Sequence, residues 1–538
     1  MSEENQIQMV MLPVAEEQEV KSNKAETIPY PVSHADKVFA AVMFVLGYFA
    51  MDSFSFFMNH AYYGAGVTAY TFLYGAACFC YARMSGQKAG KEAVFWFGVM
   101  GVSAVSYLFV YHQTLMVFHA LFLRLVTLYF TAVVFGGLIA GRTSSFFFWD
   151  GINLLVLIPF GNRKAQWRAV GDSGRYDSLL HAVLKALLGL VVAIPLFYVV
   201  IMLLSGADGN YAGLLHRLLK QLGERFYGWG MNLLLAVPVG AYLFALCYGG
   251  LHKRKTDSIK KEEIRQLCTK CAVVPQISIY VVLIGICFLY VLFIGLQGSY
   301  YLDAVRGILP EGFTYSEYAR RGFFELVNIS ILNVCIILAA RLFGRKGKKL
   351  LLRLGTVAVS VLTLFLIGTA MTKMFLYIRA YGLTPLRVIP SLFMAFLAVV
   401  FVLIIAAQFW RVQVVPIAVC LFAVGYALLS VSNMDGRIAR YNLARYQAGT
   451  LESFPKTVLQ EGSLASVPAV YQMWAATDDG EQKEMLKSVA ENILWYYGAD
   501  CHPADSLKEA NAARSRALRN LKAMGLENPV LSPPHLVY

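Results

Sequence analysis

The sequence is poor in charged residues, which make up 15% of its 538 positions, whereas 58% of the positions are hydrophobic. Water-soluble domains carry roughly 25% charged residues. The chain instead contains many apolar stretches of about 20 residues, the length of a helix that crosses a hydrocarbon core of roughly 30 Å. The shortage of charge therefore excludes an ordinary soluble domain and predicts an all-α, polytopic transmembrane helical bundle.

The amino-terminal segment lacks the basic stretch and the apolar run of a cleaved signal peptide. Residues 1–36 are polar and acidic, which predicts a disordered cytoplasmic leader. The net charge of +14 resides in loops between apolar runs, where membrane topology places it. Because no basic domain with interleaved aromatic residues stands outside the membrane part, we expect no nucleic-acid partner.

Sequence motifs for catalysis and metal binding are scarce. Most of the nine cysteines lie in apolar spans, and the pair Cys268 and Cys271 has neither a second such pair nor a histidine pair beside it. No phosphate-binding loop, zinc-protease motif, nucleophile elbow or dinucleotide fingerprint occurs in a suitable context. We therefore assign no catalytic residue, metal or cofactor, and we favour a protein without enzymatic activity.

Windows of about 19 residues predict about eleven spans. Their ranges are 38–57, 64–82, 93–111, 117–139, 183–205, 230–250, 273–296, 323–342, 354–378, 387–409 and 413–431. The apolar segment 144–161 is short and contains Asp150 and Asn153, so we expect an interfacial or re-entrant segment there.

The distribution of lysine and arginine orients these spans. With the leader in the cytoplasm, the outside turns 58–63 and 111–115 contain no Lys or Arg, while the inside loops are rich in them. A full span at 144–161 would invert this bias. We therefore predict a transmembrane domain over 37–431, which includes an amphipathic outer helix at 211–226.

The carboxy-terminal part differs in composition from the membrane part. Residues 432–538 are polar and punctuated by prolines, and two of their segments carry apolar residues on one helical face. This pattern predicts a small, helical, extracytoplasmic tail.

Ionisable side chains within spans indicate candidate sites, because burying a charge in lipid is costly. Glu325 and Lys373 lie about one turn inside the outer ends of neighbouring spans, so we expect them to pair. Tyr377 and Tyr381 follow Lys373 at four-residue spacing on one helical face. A purely packing role for this face remains equally open.

The stretch 371–387 combines a helix break with three cations. Pro385 removes an amide donor and restricts Thr384, so we expect the ninth span to end between Tyr381 and Thr384. Arg379 and Arg387 flank this outside turn, against the usual bias. They are expected to contact lipid phosphate, an anionic ligand or acidic residues of the tail.

Three segments resemble a bacterial multi-pass membrane family known only as a domain of unknown function. They are Tyr381 to Arg387, the run 315–326 with Tyr315, Tyr318, Arg320, Gly322, Phe323 and Leu326, and the run 433–446 with Asn433, Asp435, Ile438, Ala439 and Asn442. The resemblance covers roughly residues 180–450. It implies a bacterial cell membrane location and no settled activity.

All three segments are expected near the outer surface, where they would form one polar cluster. Its candidate residues are Tyr318, Arg320, Glu325, Lys373, Tyr377, Arg379, Tyr381, Thr384, Arg387, Asp435 and Arg437. We expect a cell-envelope sensor, regulator or assembly factor whose partners are membrane lipids and an anionic envelope ligand or another membrane protein. The alternatives are a secondary transporter of a small or anionic solute and a membrane-embedded transferase acting on a lipid-linked substrate.

Overall fold

The computed structural model describes most of the chain. The described residues are 31–53, 64–111, 114–171, 232–305, 315–345, 349–451, 453–497 and 510–526, with the helical positions 193, 196 and 200. Within them the structure is helical, apart from turns and an isolated bridge between Val274 and Gly344. Apart from positions 193, 196 and 200, the predicted span 183–205 lies outside the described residues, as do the amphipathic helix 211–226 and most of the leader 1–36.

Thirteen helices of the described residues make up the membrane part. They are α1 (His34–Ser53), α2 (Ala65–Met84), α3 (Lys91–Phe109), α4 (Met116–Phe135), α5 (Phe147–Gly161), α6 (Ala165–Gly171), α7 (Asn232–Leu251), α8 (Lys261–Cys271), α9 (Gln276–Val305), α10 (Tyr315–Phe343), α11 (Lys349–Tyr381), α12 (Pro385–Phe409) and α13 (Val414–Val431).

Nine helices of the described part are long and apolar enough to cross a membrane, namely all of these except α2, α5, α6 and α8. Over the described residues, this confirms an all-helical architecture with membrane-length helices. Helix α2 coincides with the predicted span 64–82 and is 20 residues long, but buried threonines and tyrosines lower its hydropathy. The total of about eleven spans stays a prediction.

The first bundle consists of α1–α7 around an aromatic core. The rings of Phe39 and Tyr81 stack at 4.0 Å between α1 and α2. Helices α1 and α7 cross at two glycines: a Cβ on Gly47 would lie 2.6 Å from the Ala236 carbonyl oxygen, and one on Gly240 would lie 2.7 Å from that of Met43. Small residues of this kind let backbones approach closely in lipid.

Helix α5 covers the apolar segment 144–161 and contains a π-helical turn at Asn153–Leu157. Its polar side chains face protein: Asp150 Oδ1 accepts a hydrogen bond from the Ile139 amide at 2.8 Å, and Asn153 Nδ2 donates to the Thr256 carbonyl at 3.0 Å. Phe148 and Phe160 are exposed on the other side. Because α5 is too short to span, its interfacial or re-entrant placement stays a prediction.

The second bundle consists of α9–α12, and α13 packs against both bundles. Ala423 and Ala427 of α13 belong to the first core, whereas Val414 and Ala418 pack on the second. Inside the second bundle, Asn333 accepts from the Tyr290 hydroxyl and donates to Thr363, each at 2.8 Å.

The carboxy-terminal residues fold into a helical module, which comprises α14 (Met434–Gln447), α15 (Lys456–Glu461), α16 (Val467–Ala476), α17 (Gly480–Tyr496) and α18 (Ala512–Ala523). Its core includes Leu486, Val489 and Ile493 from one predicted apolar face.

The module packs against one end of the first bundle. Asn511 Nδ2 donates to the carbonyls of Tyr107 at 2.7 Å and Val110 at 3.0 Å, and the Ala65 amide donates to the Ala510 carbonyl at 3.0 Å. We call this end of the membrane part the module face. The opposite end, which bears the start of α1 and the ends of α2 and α7, is the distal face.

Candidate functional site

The turn between α11 and α12 lies on the module face and has a backbone that requires glycine. Gly382 has a φ of +78°, and a Cβ there would lie 2.3 Å from Asn442 Oδ1. Helix α11 ends at Tyr381, Thr384 is extended, and Pro385 opens α12. The glycine therefore permits both the left-handed turn and the close approach of the module.

Two arginines satisfy carbonyls at the end of α11. Arg387 Nη1 donates to the carbonyls of Tyr381 at 3.0 Å and Gly382 at 2.6 Å, and its guanidinium lies 3.9 Å from the Tyr377 ring centroid. Arg445 Nη1 donates to the Ile378 carbonyl at 3.1 Å. The last carbonyls of a helix have no intrahelical partner, so Arg387 acts as a side-chain cap. The Ile378 carbonyl already accepts from the Gly382 amide at 2.8 Å, and Arg445 gives it a second hydrogen bond.

Asn442 of α14 joins the module to the same turn. Its Nδ2 donates to the Leu383 carbonyl at 2.7 Å, and its Oδ1 accepts from the Leu383 amide at 2.8 Å. The side chain is fully buried. These two hydrogen bonds fix the position of α14 along the membrane bundle.

The start of α14 makes a second polar contact with the bundle. Asp435 is buried, and its carboxylate accepts hydrogen bonds from the Thr114 hydroxyl at 2.9 Å and the Thr114 amide at 3.4 Å. A small apolar layer of Leu115, Met434 and Ile438 packs beside it. We call the contacts made by Leu383, Arg387, Asp435, Asn442 and Arg445 the junction.

The remaining predicted cluster residues differ in the solvent exposure of their side chains. Arg379, Arg437 and Glu325 are exposed, whereas Lys373 is buried in α11. Tyr318 and Arg320 belong to α10, and their side chains lie outside the described part. The predicted pairing of Glu325 with Lys373, and the gathering of all eleven residues into one cluster, stay predictions.

A second polar site lies on the distal face, at the start of α1. The buried carboxylate of Asp36 accepts hydrogen bonds from the Tyr81 hydroxyl and, at 2.7 Å, from both the amide and the hydroxyl of Ser33. His252 Nε2 lies 3.0 Å from Asp36 Oδ1. The site thus ties the first turn of α1 to the ends of α2 and α7.

Sequence reasoning missed this second site. Helix α1 begins at His34, inside the end of the predicted leader 1–36. The spacing of Ser33 and Asp36 before an apolar run is the signature of a capping box and could have revealed the helix start. His252 lies 216 residues away in the chain, so no local pattern connects it to Asp36.

A cavity of about 600 Å³ opens over this site, and Ser33, His34, Ser85, Gln87 and His252 provide its polar lining. The Ser85 hydroxyl is buried, and among the described residues it has no hydrogen-bond partner. The ring centroids of Tyr248 and His252 lie 4.3 Å apart, so the Tyr248 ring restricts the rotation of the His252 imidazole. Within the described part, no group of three His, Cys, Asp or Glu residues could hold a metal ion.

Asp150 of α5 is a third buried acid, and it lies outside the nine membrane-length helices. Burial raises the pKa of Asp150 to about 6, against a lowering by the hydrogen bond from the Ile139 amide and with a further rise from the nearby charge of Glu92. Its Oδ2 atom has no partner among the described residues. This carboxyl therefore titrates near neutral pH.

A protein-family model described as "Domain of unknown function (DUF4153)" matches residues 94–473. The match extends beyond the range of roughly 180–450 expected from the three segments. It includes the junction residues up to Arg445 but neither Asp36 nor α17 and α18. No curated protein and no solved structure matches the chain.

Proposed function

The chain belongs to the family described as Domain of unknown function (DUF4153), and we propose that it is a sensor, regulator or assembly factor of the bacterial cell envelope. The observation that carries this proposal is the junction. Asn442 bonds both the amide and the carbonyl of Leu383, so a change in the module is transmitted directly to the turn between two membrane helices.

The junction has the composition of a separable contact. Its bonds are polar, and the apolar layer beside it is small: Leu115, Met434 and Ile438 are buried, and five partly buried residues pack against them. A ligand shifts such an equilibrium when it binds the docked and undocked states with different affinity. The module is therefore suited to convert ligand or partner binding into a movement of α11 and α12.

We place the module outside the cell and the distal face in the cytoplasm. The distal connections carry the cations that the positive-inside rule assigns to cytoplasmic loops, among them Arg83, Lys88, Lys91 and Lys253. In this orientation the leader 1–36 is cytoplasmic, residues 37–431 form the membrane domain and residues 432–538 the extracytoplasmic tail.

The exposed arginines of the module face suit an anionic partner. Arg387 and Arg445 already bond to carbonyls, but Arg379 and Arg437 remain exposed beside the junction. An anionic envelope component or the headgroups of membrane lipids would complement these charges, as would an acidic surface of another membrane protein.

A second candidate function is secondary transport of a small or anionic solute. It is favoured by the polar interior of the second bundle, where Ser330, Asn333, Ser360 and Thr363 are fully buried. Polar groups between membrane helices mark solute pathways in many carriers.

A set of chromosomal variants tests the proposed function. We expect deletion and Asn442→Ala to change transcription of envelope-stress genes alike, with unchanged lipid species and solute uptake. Arg265→Gln, an exposed position on α8, is the control and should match wild type. Lost uptake of a solute would favour the transporter, and altered lipid species would favour the transferase.

A further inference from the structure

The cavity on the distal face plays no part in the proposed signalling contact. We propose that it binds a phosphate group, carried by a small phosphomonoester or by a phospholipid headgroup. This inference concerns a different face of the molecule and does not depend on the proposed function.

The cavity has the size and the rigidity of a ligand site. Its volume of about 600 Å³ falls within the roughly 300–1,000 Å³ of small-molecule pockets. Asp36 holds His252 through Nε2 at 3.0 Å, and the Tyr248 ring packs against it. The imidazole is therefore oriented before any ligand arrives, with Nδ1 as its second hydrogen-bonding atom.

The polar lining includes side chains that can donate hydrogen bonds to a ligand, namely His34, Ser85 and Gln87. His34, His252, Ser85 and Gln87 line the cavity, and the Ser85 hydroxyl is buried without a partner among the described residues. A buried polar atom without a partner costs free energy. The Ser85 residue as a whole is half-buried, so a rotation of its side chain toward a ligand that accepts its hydrogen bond recovers that cost. Phosphate offers three acceptor oxygens to such a set of donors.

The charge around the cavity favours an anion. Arg83 and Lys88 are exposed and stand next in the chain to the lining residues Met84 and Gln87, whereas Lys253 Nζ donates to the carbonyls of Phe135 and Gly136. The acid of the site, Asp36, is buried, and Ser33, Tyr81 and His252 occupy its two oxygens. Hydrogen bonds within the site thus stabilise its charge, while the exposed side chains of Arg83 and Lys88 add positive charge near the cavity.

The apolar part of the lining and the position of the cavity limit the ligand further. Met84 and Leu251 face the cavity beside the polar groups, and both end helices of the membrane part. A phosphate with a short apolar or glycerol moiety therefore fits, either free in solution or as a headgroup at the membrane surface.

The test uses the full chain in phosphatidylcholine nanodiscs. In one arm, glycerol 3-phosphate and inorganic phosphate are titrated, and binding is followed by phosphorus NMR line broadening. In the other arm, phosphatidylglycerol is added to the nanodiscs, and retained lipid is counted by native mass spectrometry. The variants are wild type, His34→Gln with Ser85→Ala, and Arg265→Gln as a control that removes a cation from α8.

We expect saturable binding in one arm, weakened about a hundredfold in the double variant, because each of the two lost bonds to a charged group is worth about one order of magnitude. The arm that responds identifies the source of the phosphate. If the double variant does not fold, Gln87→Leu replaces it. Absence of saturable binding in both arms, or equal weakening in Arg265→Gln, would overturn the proposal.

Discussion

The two ends of the membrane part use polar side chains in different ways. On the module face, Arg445 bonds to a backbone carbonyl in the last turn of α11, and Arg387 and Asn442 bond to backbone atoms of the turn that follows. On the distal face, Tyr81 and His252 bond to the side chain of Asp36. The first arrangement closes a helix end and attaches the carboxy-terminal module, whereas the second ties three helices together.

The largest expected effect is a loss of stability, and comparing one variant on each face tests the difference between the two faces directly. Asp36→Ala would leave the buried hydroxyl of Tyr81 and the imidazole of His252 without their acceptor, at a cost of about 3 kcal/mol or more. Arg387→Ala should cost only about 1 kcal/mol, because Arg387 is half-buried and water can replace its bonds. Denaturation of the full chain in nanodiscs compares the two. Equal losses of stability would remove the distinction between the faces.

Glycine substitutions separate backbone strain from module contact. Gly382 and Gly86 have φ angles of +78° and +77°, but a Cβ on Gly86 would meet nothing within 4 Å. Alanine at either position costs about 1–2 kcal/mol in backbone strain, and only Gly382→Ala also collides with Asn442. We expect limited proteolysis to release the module from Gly382→Ala and not from Gly86→Ala. Release from both variants would assign the effect to strain alone.

The smallest effect concerns the pH dependence of stability. Burial raises the pKa of Asp150 from 3.8 to about 6. The folded state therefore binds the proton more tightly than the unfolded state, and this contribution is present at low pH and lost as the pH rises through about 6. Relative to Asp150→Asn, we expect the wild type to lose about 2 kcal/mol between pH ~4 and ~8. Parallel profiles of the two proteins would contradict the assignment.

The sequence predicts the membrane helices well because each is a long apolar run between polar loops. The end of α11 beside Gly382 and Pro385 follows from local backbone chemistry. The hydrogen-bond partners of Arg387 and Asp435 do not follow from local chemistry. Arg387 bonds to a carbonyl that is available because the helix ends there, and Asp435 bonds to a threonine 321 residues away in the chain. Asp36 was missed for the same reason: its role depends on contacts with Tyr81 and His252, which only the folded chain provides.

The central claim is that the junction holds the module against the membrane helices. Spin labels at the exposed positions 88 and 484, in a background without native cysteines, would report the distance between the distal face and the module in nanodiscs. We predict one narrow distance distribution in the wild type and a broader one in Asn442→Ala, which loses both bonds to Leu383 but keeps those of Asn511 to Tyr107 and Val110. A broad distribution in the wild type, or an unchanged narrow one in Asn442→Ala, would contradict this account.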